Sequence, residues 1–294
     1  MKITEDIKAL VEIAIREDLG EIEGNKTEFT GDITTQATIE FSDIVSASMV
    51  ARESGIIAGV DIAKYVFNRI SPDIDVTLHL SDGAPVAPQD KILTVNGKAQ
   101  DILQSERIAL NFLTHLSGIA TETARYVDAV SHTQAKILDT RKTLPGWRIL
   151  QKHAVKMGGG NNHRMGLYDM VLIKDNHIAA AGGVTKSLNR VQASHNELKA
   201  TNPDIKIEIE VDTLEQLDKV IAHGGADIVL LDNMPPADLS TAVQKCDGKI
   251  ITEASGGITL ESIVAVAESG VDYISSGALT HSVKVFDIGL DFED

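Results

Sequence analysis

The sequence is short of several things, and each shortage excludes a class of function. Aromatic residues are only 4% of its 294 residues, too few for the stacking surfaces on which single-stranded nucleic acids lie. There is one cysteine, Cys246. A lone thiol makes neither an intrachain disulfide nor a cysteine-rich zinc site, and it suits a reducing compartment. Cys246 itself reads as an ordinary half-buried residue rather than a nucleophile. Long apolar runs are missing too. The N-terminus, MKITEDIKALVEIAIREDLG, is broken by charges throughout, so it reads neither as a signal peptide nor as a membrane span, and a cytoplasmic protein is expected. Positive charge is scarce: 27 Lys and Arg face 43 Asp and Glu, for a net charge of -16. That balance keeps a protein soluble and argues against a nucleic-acid partner. The hydrophobic content of 43% is globular, and the length allows one large or two ordinary domains with a sizeable core.

One stretch reverses the sign. From Lys136 to His177 there are eight Lys and Arg (136, 141, 142, 148, 152, 156, 164 and 174) against three Asp (139, 169 and 175), with His153, His163 and His177 in addition. It also holds the run Gly158-Gly159-Gly160, followed by Asn161-Asn162-His163-Arg164. A local cationic patch in an acidic chain points to a pocket for a small anion, since a polyanion would need a broad basic face.

Along the chain, residues 3–19 predict an amphipathic helix capped by Thr4 and ended by Gly20, with Ile7, Leu10, Val11, Ala14 and Ile15 on its apolar face. Residues 20–32 read as a loop whose end, Gly31-Asp32-Ile33-Thr34-Thr35, suits a structural turn as well as a binding role. From 45 to 98, short alternating or β-branched runs separated by Gly, Pro and Asp, with one helix near Val60 to Ile70, predict a small antiparallel α+β unit. A long helical region follows over 101–130, with a break expected near Gly118. Strand-like and helix-like runs then alternate to about residue 280: KILDT, helix 145–157, MVLIK, helix near 184–200, IKIEIEV, helix 213–223, DIVLLD, helix 236–245, KIITEAS, helix 259–269 and YISSG. Asp212-Thr213-Leu214-Glu215 fits a capping box. This alternation implies a parallel sheet with right-handed crossovers. A closed βα barrel suits it better than an open sheet, because the polar residues gather at strand C-termini, and the absence of a Gly-x-Gly-x-x-Gly turn after the first strand argues against a dinucleotide-binding sheet.

Those strand ends form a two-part set. Asp139-Thr140-Arg141-Lys142 and Lys174-Asp175-Asn176-His177 are cationic and suit carboxylates or phosphates. Glu208-Ile209-Glu210 and Asp232-Asn233 are acidic and suit sugar hydroxyls or a hard cation. Ser255-Gly256-Gly257 and Ser275-Ser276-Gly277 suit a phosphate held by backbone N–H groups. Glu208 and Glu210 share one face of a strand; Glu210, nearer the strand end, is favoured for chemistry and the other can be structural. Asp139 and Asp175 read equally as turn residues, Asp212 as a helix cap, His153 as surface or packing, and His177 as a loop brace.

The motifs GDITT (31–35), SERIALNFLTHLSGIAT (105–121), DTRKTLPGWRILQKHAVKMGGGNNHRMGLYDMVLIKDNHI (139–178), IEIEVDTLEQL (207–217), LLDNM (230–234), EASGGI (253–258) and GVDYISSGALTHS (270–282) occur in that order over nearly the whole length. Carrying them, the chain resembles the quinolinate phosphoribosyltransferases. The loop EIEGNKTEF (21–29) is longer than the compact connection typical of that family. The resemblance implies an N-terminal α+β sandwich domain (1–115, with 283–294 returning to it) and an open, TIM-like βα barrel (116–282). It implies transfer of phosphoribosyl from phosphoribosyl pyrophosphate to quinolinate with loss of CO₂, Mg²⁺ as cofactor, and a homodimer or homohexamer. By position, Arg141, His163, Arg164 and Lys174, with Lys142 alongside, match residues that surround the quinolinate carboxylates. Arg107 matches an arginine lent by a neighbouring subunit. Glu210 and Asp232 match the acidic pair near ribose and Mg²⁺, directly or through water. Ser255, Gly256, Gly257, Ser276 and Gly277 match the 5′-phosphate cradle. Lys142, Lys174, Glu210 and Asp232 are the expected catalytic set. The rival readings are a paralogous pyrophosphorylase of the same fold, a Schiff-base aldolase using Lys174, and a dicarboxylate or nucleotide sensor without turnover.

Overall fold

The computed structural model describes residues 1–22 and 25–293. The chain divides into two compact units: Met1–Glu122, Pro145–Gly159 and Val283–Asp294 form the first, and Thr123–Leu144 with Gly160–Ser282 the second.

The first unit opens with the helix Glu5–Leu19, whose Thr4 hydroxyl accepts the Ile7 amide and whose end is Gly20 in a positive-φ conformation. Its buried residues are Ile7, Val11, Ile15 and Leu19, a stripe at spacing four that fixes which face packs. Each such side chain contributes about 1.5–3 kcal/mol on burial. The sheet of this unit is antiparallel, in the order Ile288–Phe292, Ile44–Ala51, Lys91–Lys98, Asp75–Leu78. The chain's last strand is therefore paired with the domain's first long one. In the loop 21–29, strands Glu21–Ile22 and Asn25–Phe29 pair as a hairpin; Glu23 and Gly24 lie outside the described residues. The Gly31-Asp32 turn is structural: Asp32 Oδ1 accepts the amides of Thr34 (2.9 Å) and Thr35 (3.1 Å) and caps a short helix, Ile33–Thr38.

The expected break at Gly118 does not occur. The helix Ala99–Ala129 is continuous over 31 residues. Gly118 serves a close approach instead, since a Cβ there would lie 2.2 Å from the Lys284 carbonyl oxygen. The helix expected over 145–157 begins later, at Arg148, and ends at Gly158. It groups with the first unit. Trp147, just before it, stacks on Phe112 with centroids 4.8 Å apart. His153 is a packing residue: its Nε2 lies 2.6 Å from Asp82 Oδ2, while Asp82 Oδ1 accepts the Gly59 and Val60 amides that open the helix Val60–Ile70.

The second unit is built on six parallel strands: β1 Lys136–Leu138, β2 Val171–Ile173, β3 Ile207–Val211, β4 Ile228–Asp232, β5 Ile251–Ser255 and β6 Tyr273–Ser275. They pair in the order β1-β6-β5-β4-β3-β2. The first strand hydrogen-bonds the last, so the sequence runs round a ring with a single gap between β1 and β2 among the described residues. The barrel is therefore open, as the family resemblance implies, and not closed as the strand pattern alone predicts, because β1 and β2 do not pair among those residues. The helix expected over 184–200 is two, Val184–Ala193 and His195–Thr201, and that over 259–269 is the shorter Ile263–Glu268. Among the described residues, no helix is long and apolar enough to cross a membrane.

Candidate active site

The C-terminal ends of the barrel strands enclose a cavity of about 820 Å³ within the second unit. Parallel pairing brings all six ends to one rim, which is why residues scattered from 140 to 282 meet there.

One wall is cationic. Arg141 and Lys142 follow β1, Arg164 precedes β2, and Lys174 follows β2; all four line the cavity. The Arg141 Nε is buried and has no hydrogen-bond partner among the described residues. An uncompensated guanidinium N–H out of water is costly unless an anion arrives to meet it. Arg164 is 9% exposed, with Nη1 donating to the Met170 carbonyl at 3.1 Å. Its burial, and then the neighbouring charge of Arg141, lower its pKa. Lys174 lies across from Glu210, Nζ to Oε2 at 3.2 Å, and its backbone N–H donates to His177 Nδ1 at 2.9 Å, so His177 is a brace.

The opposite wall is acidic. Oxygens of Glu210, Asp212 and Asp232 all lie within 4.8 Å of one another. Burial raises the pKa of Asp232. A donor set made only of carboxylate oxygen, partly open to solvent, fits a hard cation such as Mg²⁺. Asp212 is a residue that the sequence pattern misassigned. The helix Leu214–His223 is capped by Thr213, whose hydroxyl accepts the Gln216 amide, and Gln216 Oε1 accepts the Asp212 N–H at 2.7 Å. Thr213 and Gln216 thus hold the helix start, without the capping box expected over 212–215, and the Asp212 side chain turns to the acidic cluster.

At the third wall, Gly256 and Gly257 have φ of 95° and 60°. Two successive positive-φ residues expose backbone N–H groups in a concavity that suits an anion. Gly277 is needed for another reason: a Cβ there would meet Lys142 Cδ at 2.8 Å. Ser276 is 4% exposed and donates to the Ile258 carbonyl at 3.3 Å.

A buried triad adjoins these walls, and two of its members, His163 and Glu253, line the cavity. His163 Nε2 lies 3.1 Å from Glu208 Oε2 and 3.6 Å from Glu253 Oε1. Its Nδ1 accepts the Arg164 amide at 2.8 Å, so the proton is on Nε2, facing the glutamates. The fully buried Asp139 accepts the His163 N–H at 2.9 Å and fixes the turn from below. Burial pushes the Glu208 carboxyl up to about 7. Burial, and then the charge of Glu208, push Glu253 up to about 8.

Comparison with known proteins decides what this rim belongs to. The family described as "Quinolinate phosphoribosyl transferase, C-terminal domain" matches residues 119–291, and the N-terminal domain of the same family matches residues 32–117. The chain belongs to the quinolinate phosphoribosyl transferase family. It is 48% identical over 266 residues to the nicotinate-nucleotide pyrophosphorylase (carboxylating) of Mycobacterium leprae, covering 88% of this chain and 90% of that one. Over 304 residues it is 43% identical to the chloroplastic enzyme of Arabidopsis thaliana, covering 99% and 84%. The solved nicotinate-nucleotide pyrophosphorylase of Francisella tularensis superposes with a TM-score of 0.89 at 39% identity, covering 98% and 96%.

For a member of this family, the cavity gathers Arg141, Lys142, His163, Arg164, Lys174, Glu210, Asp232, Ser255, Gly256, Gly257, Ser276 and Gly277 at one place. Arg107 is not among its lining residues; it is exposed on the helix Ala99–Ala129 in the first unit. Glu253 went unnoticed in the sequence. The signal that could have found it is the period of two, since Glu253 and Ser255 share a face of β5.

Proposed function

We propose that this chain transfers the phosphoribosyl group of phosphoribosyl pyrophosphate to quinolinate and releases CO₂, giving nicotinate mononucleotide and pyrophosphate in NAD biosynthesis. The observation that carries the proposal is the cationic wall with its buried Arg141 Nε, which has no hydrogen-bond partner among the described residues. It faces an acidic cluster across one cavity, which suits a dianionic pyridine on one side and a ribosyl donor on the other.

Arg141, Arg164, Lys142 and Lys174 would hold the two carboxylates and aim the ring nitrogen at the anomeric carbon. Ser255, Gly256 and Gly257, with Ser276 and Gly277, would hold the 5′-phosphate. The nitrogen lone pair forms the new C–N bond while the C–O bond to pyrophosphate breaks, and pyrophosphate takes that electron pair. Glu210 and Asp232 lie near the positive charge that develops on the ribose, where fixed carboxylates favour the transition state over the ground state. As the 2-carboxylate departs as CO₂, its bonding pair stays at ring carbon 2 as an ylide stabilised by the adjacent positive nitrogen, and a proton then binds that pair. Glu210, Asp232 and Asp212 would hold Mg²⁺. When bound, the ion neutralises charge on the leaving pyrophosphate.

The same reading includes a homodimer or homohexamer in which Arg107 of one subunit completes the carboxylate wall of its neighbour, and a cytoplasmic location. Calorimetric titration tests the carrying observation. Quinolinate should bind at least about tenfold more tightly than nicotinate, because a second carboxylate meets a charged partner. Equal affinity for the two acids would remove the basis of the proposal.

A further inference from the structure

Asn233 has a conformation that the roles above leave unexplained. Its φ is 54°, one of three positive values at non-glycine residues among those described. The other two have local reasons. Asp247 terminates the helix Pro236–Cys246, and Gln89 lies in the turn before Lys91–Lys98. Asn233 ends no helix. It follows β4 directly at the cavity rim, where it lines the wall between Asp232 and Ser255. Left-handed backbone costs a non-glycine residue free energy that its surroundings must offset.

Two hydrogen bonds supply the offset, and a close approach to Gly256 accompanies them. The Asn233 backbone N–H donates to the Ser255 carbonyl at 2.9 Å. Its side-chain Nδ2 donates to Asp232 Oδ2 at 2.5 Å. Its Oδ1 stands over Gly256, where a Cβ would come within 2.3 Å. Asp232 and Ser255 are themselves register partners at the ends of β4 and β5. One residue therefore holds an acidic side chain through Nδ2 and the cradle backbone at Ser255 through its N–H, while its Oδ1 fills the space that only a glycine at 256 leaves open.

We propose that Asn233 is a positioning residue that couples the Asp232 carboxylate to the 255–257 cradle, so that ribose and 5′-phosphate are met by one preset unit. Asparagine is suited to this because it tolerates left-handed backbone and carries a donor and an acceptor on one short side chain. The pyridine acid has no part in the arrangement, so the effect is confined to the ribosyl donor. The inference rests on the phosphoribosyl reading above.

The test is steady-state kinetics of wild type, Asn233→Asp and Asn233→Gly, varying each substrate with the other saturating, with melting temperatures alongside. Asn233→Asp keeps size and backbone tolerance but turns the donor into an acceptor beside Asp232. Loss of a hydrogen bond to a charged group predicts a rise of about tenfold or more in KM for phosphoribosyl pyrophosphate. KM for quinolinate should stay within about twofold. A new carboxylate also repels phosphate, so Asn233→Gly isolates the coupling. Glycine relieves the left-handed backbone and should leave the melting temperature level or higher, yet it should raise the same KM. Unchanged KM for the donor in either variant overturns the proposal. So does a fall in melting temperature with equal losses on both substrates, which would make Asn233 merely structural. A wild type without turnover overturns the transferase reading and this one together; an active wild type with unaffected variants overturns this one alone.

Discussion

Replacing Glu253 with glutamine should change how stability depends on pH. Glu253 is 1% exposed, and burial, reinforced by the charge of Glu208, raises its pKa from 4.5 to about 8. A carboxyl with a raised pKa is favoured neutral in the fold. Its contribution is therefore fully present below about pH 4.5 and is lost as pH climbs through about 8. At about 1.36 kcal/mol per pKa unit, the ceiling on that loss is about 5 kcal/mol. His163 at 3.6 Å offsets part of the cost of charge, and Glu208 competes for the same proton, so about 2 kcal/mol is the working expectation. Glutamine keeps the shape and never ionises. Urea denaturation across this pH range should show wild type losing stability relative to E253Q, with the gap opening from about pH 5 to about pH 8 by about 2 kcal/mol. Parallel stability curves over that window would refute the assignment of a neutral, buried Glu253.

Other substitutions test other parts of the site and fold. Arg141→Ala should raise the quinolinate KM sharply, with about 2–5 kcal/mol at stake for a buried charge partner left unpaired; steady-state kinetics would read it. Asp212→Asn should increase the Mg²⁺ concentration needed for half-maximal rate, because it removes one anionic oxygen donor from the acidic cluster. Gly118→Ala should destabilise the protein by about 1–3 kcal/mol by denaturant titration, because its Cβ would meet the Lys284 carbonyl oxygen at 2.2 Å.

Much of this was legible beforehand, for identifiable reasons. Strand ends in a parallel sheet must lie at one edge, so Arg141, Lys174, Glu210, Asp232 and Ser255 could be grouped from pattern alone, and the structure brings them to one cavity. Thr4 and Gly20 bound the first helix because capping chemistry is local. What escaped was non-local. Gly118 looks like a helix break until the Lys284 carbonyl is seen against it. Asp212 looks like a cap until Thr213 and Gln216 are found to share that task. The sequence pattern predicts a helix from residue 145, but the helix begins at Arg148, after Trp147 has stacked on Phe112. Glu253 looks like any strand residue until β3 is placed two strands away, with Glu208 beside it at the same His163 Nε2. In each case a partner distant in sequence decides the role.

The measurement that bears most directly on the account is turnover by the purified protein given quinolinate, phosphoribosyl pyrophosphate and Mg²⁺, with quinolinate labelled in its 2-carboxylate. The account predicts nicotinate mononucleotide and labelled CO₂ in equal amounts, and no mononucleotide when nicotinate replaces quinolinate. Product from nicotinate, or labelled acid retained in the nucleotide, would contradict it.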